Sequence, residues 1–222
     1  MGSDHSSLGE PEDTATVKPL RDPAELLAQT WRQWDRRNDL WVFGYASLIW
    51  RPEFQADEQR PARVWGFHRS FRMRSRVNRG TPATPGLVFA LLPGGSCRGM
   101  VYRIGNQRAE QELERLWARE MPTGVYDPRW LPCSTTAGPV TALAFTLRRS
   151  SPSYTGAIPD TQMLHILRTA CGRYGTTLEY LLETAQGLRQ HGIRDREIER
   201  LAAMARRHGL HPEGVGGLML AR

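Results

Sequence analysis

Cysteine is scarce in this chain: Cys97, Cys133 and Cys171 stand far apart, with no Cys-x-x-Cys pair. That argues against a disulfide framework or a thiolate zinc site and fits a reducing cytoplasm. Histidine is sparse too, at six residues, and none forms His-Glu-x-x-His. His208 and His211 are three apart, but Gly209 and Pro212 around them mark a helix end rather than a metal site. No apolar run approaches the roughly 20 residues that span a bilayer, so no membrane segment is expected. Internal repeats and low-complexity tracts are missing as well. Met1 to Thr14 is polar and acidic and lacks an apolar signal core, so export is not expected. The opening Met1-Gly2-Ser3-Asp4-His5-Ser6 fits a short N-myristoylation pattern but reads better as part of a disordered tail.

What is present suits one domain with a substantial core: 222 residues, 40% hydrophobic, with seven tryptophans. The net charge is +7, and the arginines are spread over most of the chain. The densest run, Arg69 to Arg76, alternates as a strand does, with basic side chains on one face. A solvated strand face is the plain reading. A pocket for an anionic small molecule comes second. Nucleic acid comes third, because no recognised binding motif accompanies the charge.

The pattern predicts strands first and helices last. Asp22 and Pro23 open a helix as cap and first residue. Leu40 to Tyr45 reads as a strand, and Ala62 to Arg74 as a second with a bulge at Gly66. Gly80 to Gly86 is a loop, Leu87 to Leu92 a short strand, and Gly94-Gly95 a turn into a strand from Arg98 to Ile104. Asn106 caps a helix that ends near Glu120, before Pro122 and Gly124. Trp130 to Thr135 and Val140 to Leu147 form a hairpin. Asp160, Thr176 and Arg194-Asp195 begin three closing helices. The layout is α+β with mostly antiparallel strands. A flexible tail at 1–20, a single domain at 21–210 and a second tail at 211–222 are expected.

Two segments carry chemistry. Gly44-Tyr45-Ala46-Ser47-Leu48 ends a strand in small residues, and successive unpaired backbone N–H groups there can bind a carboxylate. Read alone, it is also an ordinary strand-to-turn junction. Glu120 is flanked by Trp117 and Met121 in sequence, an apolar setting that would raise its pKa toward the working pH. Read alone, it is also a surface glutamate.

The run Gly44-Tyr45-Ala46-Ser47-Leu48-Ile49-Trp50, together with Arg119-Glu120-Met121, Thr123-Gly124 and Tyr126, resembles the ChaC family of γ-glutamylcyclotransferases, the branch that cleaves glutathione. Gly66 to Phe71, Arg79-Gly80-Thr81-Pro82, Tyr154-Thr155-Gly156 and Thr177 to Leu182 agree, so the likeness runs from about residue 40 to residue 205. The resemblance implies a small mixed β-barrel flanked by helices, with a helical C-terminal region. It implies Glu120 as general acid/base, and Val42, Phe43, Gly44, Tyr45, Ala46, Ser47 and Leu48 as the cradle of the γ-glutamyl group. Arg79, Tyr126 and Tyr180 are further expected substrate contacts.

The implied reaction closes the γ-glutamyl arm of glutathione into 5-oxoproline and releases Cys-Gly, with no metal and no cofactor. The family's signature has glycine where Ala46 stands. If that position needs φ > 0, alanine strains it; otherwise the methyl only narrows the pocket. Another γ-glutamyl amino acid or amine as substrate, a non-catalytic γ-glutamyl-binding protein and a cysteine nucleophile stay open beside this reading. The oligomeric state is not legible.

Overall fold

The computed structural model describes residues 20–212. The tails expected at 1–20 and 211–222, and the pattern at Met1 to Ser6, lie outside those residues, the tails' inner ends apart. In chain order the elements are α1 (Pro23–Gln33), β1 (Leu40–Gly44), α2 (Ser47–Trp50), β2 (Glu58–Ser75), β3 (Gly86–Ile104) and α3 (Asn106–Glu120). Then come β4 (Asp127–Thr135), β5 (Gly138–Thr146), α4 (Asp160–Thr169), β6 (Cys171–Gly172), β7 (Gly175–Thr176), α5 (Thr177–Gln190) and α6 (Arg196–Arg207).

Five strands close a barrel in the order β1-β3-β2-β4-β5. Its antiparallel ladders are β1–β3, β2–β3, β2–β4 and β4–β5. Closure is parallel, with Val42 of β1 opposite Leu143 of β5 and Leu91 of β3 opposite Thr146. This is the mixed barrel with flanking helices that the resemblance implied. Phe43, Phe71, Phe89 and Phe145 are among the largest fully buried side chains. The closing helices pack tightly on the short one. A Cβ on Gly187 of α5 would sit 3.0 Å from the Cβ of Trp50 in α2, and the Trp50 indole donates to Thr184 Oγ1 at 3.1 Å.

Three local expectations are corrected. Gly94-Gly95 does not divide two strands: β3 runs straight through it, paired with β2. Register shifts there, Trp65 facing Ser96 and Phe67 facing Pro93. Gly66, Gly94 and Gly95 take φ of 81°, 104° and 71°, so the glycines supply a bulge that bends the ribbon. A turn and a bulge both call for left-handed backbone, and composition cannot separate them.

Asn106 is not a cap but the first helical residue of α3, with Gly105 at the cap position. The orphan amides are satisfied from a distance. Gly105 N–H donates to Asp57 at 2.7 Å and Asn106 N–H to Asp39 at 3.0 Å.

Arg69, placed on a solvated face by its sequence, is buried. Arg69 stands an odd number of residues from Arg72 and Arg74, so strand alternation itself puts it on the face opposite their half-exposed side, the side of the buried Phe71 and Met73.

Candidate active site

Glu120 is the last residue of α3, and the chain stops helix formation there for a local reason. Met121 donates its N–H back to Trp117 O at 2.8 Å, Pro122 follows, and Gly124 turns with φ 60°. The turn delivers Tyr126 to the start of β4. From the opposite wall, β1 ends at Gly44 and hands over to Tyr45, Ala46 and the first turn of α2. The first amides of a helix have no partner inside it, so those of Ser47 and Leu48 are left for other acceptors. A Cβ on Gly44 would come within 2.9 Å of the Tyr102 ring, which explains why this corner takes glycine.

These elements enclose a narrow pocket of about 280 Å³ of empty space, its mouth included, lined by Tyr45, Ala46, Ser47, Leu48, Phe89, Glu120, Tyr126, Phe145 and Tyr180. The Tyr45 hydroxyl donates to Phe145 O at 2.9 Å, which pins the turn to the barrel. Tyr180 is held from α5: its hydroxyl accepts from Phe89 N–H at 3.2 Å, and its ring stacks on Phe71 at 6.3 Å. Tyr126 tilts against Phe145 at 6.1 Å.

The aromatic walls set the electrostatics. Burial pushes the Glu120 carboxyl above the ordinary glutamate value, against the pull of Arg119 and with a further push from Glu53. Arg119 Nε lies 3.0 Å from Glu120 Oε1, and Arg119 Nη1 lies 3.1 Å from Glu53 Oε2. Its other contacts are the carbonyls of Arg51 and Pro52. Arg119 thus fixes the carboxylate's position and joins it to the segment that follows α2. Burial also raises the phenols of Tyr45, Tyr126 and Tyr180, with Glu120 adding to each. They stay protonated as hydrogen-bond donors. A carboxylate whose pKa is raised by burial holds a proton more readily than a free one and can take and return it.

Tyr45, Ala46, Ser47, Leu48, Tyr126 and Tyr180 therefore meet Glu120 at one pocket. Val42 and Phe43 are fully buried in β1 behind it, and Gly44 backs the turn. Arg79 is not among the lining residues. It is buried behind Tyr180, its guanidinium 5.4 Å from that ring and 5.9 Å from Trp50. Glu183 lies 3.6 Å and Glu179 3.9 Å from its nitrogens. Phe89 and Phe145 line the pocket without having been picked out from the sequence. Each sits in an apolar strand run, where nothing local distinguishes a wall from a core position.

Ala46 answers the question its sequence raised. Its φ is −145°, outside the left-handed region that favours glycine. The methyl lines the pocket and narrows it.

A closed mixed barrel, with a half-buried glutamate brought against a strand-to-helix turn, defines a γ-glutamylcyclotransferase-like fold. A solved yeast γ-glutamylcyclotransferase specific to glutathione overlays it with a TM-score of 0.70 at 21% identity, over 77% of this chain and 97% of that one. The family model for ChaC-like proteins matches residues 40–208, and the chain belongs to that family. The glutathione-specific γ-glutamylcyclotransferase of Escherichia coli is 36% identical over 70% of this chain and 68% of its own length. Glutathione-specific γ-glutamylcyclotransferase 1 of Homo sapiens is 33% identical over 76% and 80%. The glutathione-specific enzyme of Schizosaccharomyces pombe is 34% identical over 72% and 87%.

Proposed function

We propose that this chain is a glutathione-specific γ-glutamylcyclotransferase whose single catalytic domain spans 21–210, with Glu120 as its acid/base. The observation that carries the proposal is geometric: Glu120 and the turn from Tyr45 to Leu48 line one pocket. The three cysteines are free thiols, which suits a cytoplasmic enzyme in a reducing compartment.

Glutathione carries its own nucleophile. Its α-amine attacks the γ-carbonyl carbon, a carbon–nitrogen bond closes a five-membered ring, and the bond to the Cys-Gly nitrogen breaks. No water enters. The pocket has to bend the flexible arm into a near-attack shape, where intramolecular geometry supplies several kcal/mol. The Ser47 and Leu48 amides and the Ser47 hydroxyl supply donors for the γ-glutamyl carboxylate. Tyr126 and Tyr180 close the apolar side. Glu120 removes the proton that the ammonium must shed before attack and returns it to the departing Cys-Gly amine. The narrow pocket selects an unbranched γ-glutamyl arm and leaves the Cys-Gly part toward the mouth.

The test is mass spectrometry of purified protein with reduced glutathione, beside Glu120→Gln. Equimolar 5-oxoproline and Cys-Gly from the wild type alone would support both reaction and base. Product from both proteins would keep the reaction and remove Glu120 from its role. No product from folded wild type would sink the glutathione reading, and a panel of γ-glutamyl amino acids and amines would then be run.

A further inference from the structure

A second hollow, of about 660 Å³ of empty space, lies where the start of α6 meets the β2–β3 ribbon. It shares no lining residue with the first. Its wall carries Arg63 and Arg98 from the ribbon and Arg194 and Arg196 from the approach to α6. The two carboxylates beside them are already committed. Asp195 lies 2.6 Å from Arg69 Nη1 and caps α6 by accepting from Ile198 N–H at 3.1 Å. Glu197 Oε1 accepts from Phe71 N–H and Ser70 Oγ, each at 3.3 Å. Arg69 is committed too, donating to the carbonyls of Tyr45 and Arg98. Among the described residues, Arg63, Arg98, Arg194 and Arg196 have no carboxylate at salt-bridge distance.

These placements are unfavourable by themselves. Arg63 and Arg98 stand directly opposite each other across antiparallel strands, and like charges so paired destabilise a ladder. Arg194 and Arg196 flank the start of a helix, the end that already carries partial positive charge. A bound anion reverses the sign of all these terms at once. Guanidinium groups also match phosphate oxygens in geometry, with two N–H bonds to one phosphate. Trp65 stands next in the ribbon, 63% exposed, with the Arg63 guanidinium 5.0 Å from its ring.

We propose that this hollow binds a small oligophosphate anion, its phosphates held by Arg63, Arg98, Arg194 and Arg196. The chemistry is shared by free polyphosphate and by a nucleotide; only a nucleotide has a base to stack near Trp65.

Isothermal titration calorimetry on the full chain tests it, at low ionic strength, with tripolyphosphate and with ATP. The comparison variant is Arg98→Ser/Arg194→Ser, two exposed side chains whose loss leaves the hydrogen bonds of Arg69 and Asp195 in place. The expected result is saturable binding by the wild type, weakened by salt and by the variant roughly tenfold or more, as loss of charge-assisted hydrogen bonds requires. Tighter binding of ATP than of tripolyphosphate supports a nucleotide; equal binding supports the phosphate chain alone. Arg63→Ser carries the same comparison should the double variant fold poorly. No binding of either probe overturns the proposal, as does equal affinity in wild type and variants. Retention of a single-stranded RNA by the same arginines, with no tripolyphosphate binding, overturns it in favour of nucleic acid. The readout is binding, so its failure is distinct from failure of the glutathione reading.

Discussion

Ala46 departs from the family's Gly-Tyr-Gly-Ser-Leu signature, and its backbone decides what the departure does. With φ at −145°, the position does not call for left-handed backbone, and glycine would add freedom to the unfolded chain. Ala46→Gly is therefore expected to lower stability by about 0.5–1 kcal/mol, read as a shift of the urea midpoint. It should also widen the pocket and improve turnover of bulkier γ-glutamyl amines relative to glutathione. A stabilised variant would mean that the turn holds a strained backbone after all. Glu120 gives the second test at this scale. Burial lifts its carboxyl above the ordinary 4.5, and a carboxyl can serve as a base only when ionised. The acid limb of kcat/KM must then lie above that value, activity rising with pH through it. In Glu120→Gln that limb should vanish and kcat fall about 10²–10⁴-fold, while the melting temperature stays near that of wild type.

At the scale of elements, the placement of Glu120 depends on a segment that the family model, over residues 40–208, does not cover. Residues before β1 strap the α3–β4 connection. Leu20 N–H donates to Thr123 O at 2.8 Å, Arg21 Nε to Gly124 O at 3.0 Å, and the Trp117 indole to Pro23 O at 2.8 Å. A Cβ on Gly124 would meet Arg21 O at 2.4 Å, so strap and turn are fitted closely. Asp127 is the fixed point, 2.6 Å from Arg21 Nη1 and 2.8 Å from Arg148 Nε. Burial works against its charge, but the Arg148 and Arg21 bonds outweigh that and hold the carboxyl below its ordinary 3.8. A depressed folded pKa contributes stability that is complete above the unfolded value and lost as pH falls through the folded one. Asp127→Asn should lower stability at pH 7 by roughly 1.5–3 kcal/mol and flatten the decline below about pH 4. Equal acid sensitivity in both proteins would remove Asp127 from this role. The sequence made the α1 cap at Asp22 and the start of α6 at Arg194-Asp195 legible, because such a signal and its helix are neighbours. It hid the Asp39 and Asp57 partners of α3 and the strap itself, whose contacts span 48 to 106 residues. Local pattern carries no information about such partners. The pocket divides the same way. Its motif residues, Tyr45 to Leu48 and Glu120, stand out by type, whereas Phe89 and Phe145 are defined as walls only by barrel closure.

At the scale of the whole molecule, an ion pair built on a buried arginine links the barrel to α6. Arg69 extends from β2, its side chain 2% exposed, to Asp195 at the start of α6. The same guanidinium donates to the Tyr45 carbonyl, so the pair also braces the turn that lines the Glu120 pocket. The arrangement is sensitive to the loss of one partner: removing a single charge from a buried pair leaves the other uncompensated, at a cost of about 3–5 kcal/mol. Asp195→Asn keeps a capping side chain for α6 and removes only the charge. It should lower the unfolding free energy toward that range and weaken glutathione turnover, because the Tyr45 carbonyl loses a firmly held donor. Arg69→Met orphans two carbonyls and destabilises as well. The two substitutions share one interaction, so the double variant should lose less than the sum of the singles, by about 1 kcal/mol or more. Urea denaturation of the four proteins reads this directly. Strict additivity would mean that Arg69 serves the carbonyls of Tyr45 and Arg98 alone, leaving α6 held to β2 by the Glu197 hydrogen bonds and its apolar face.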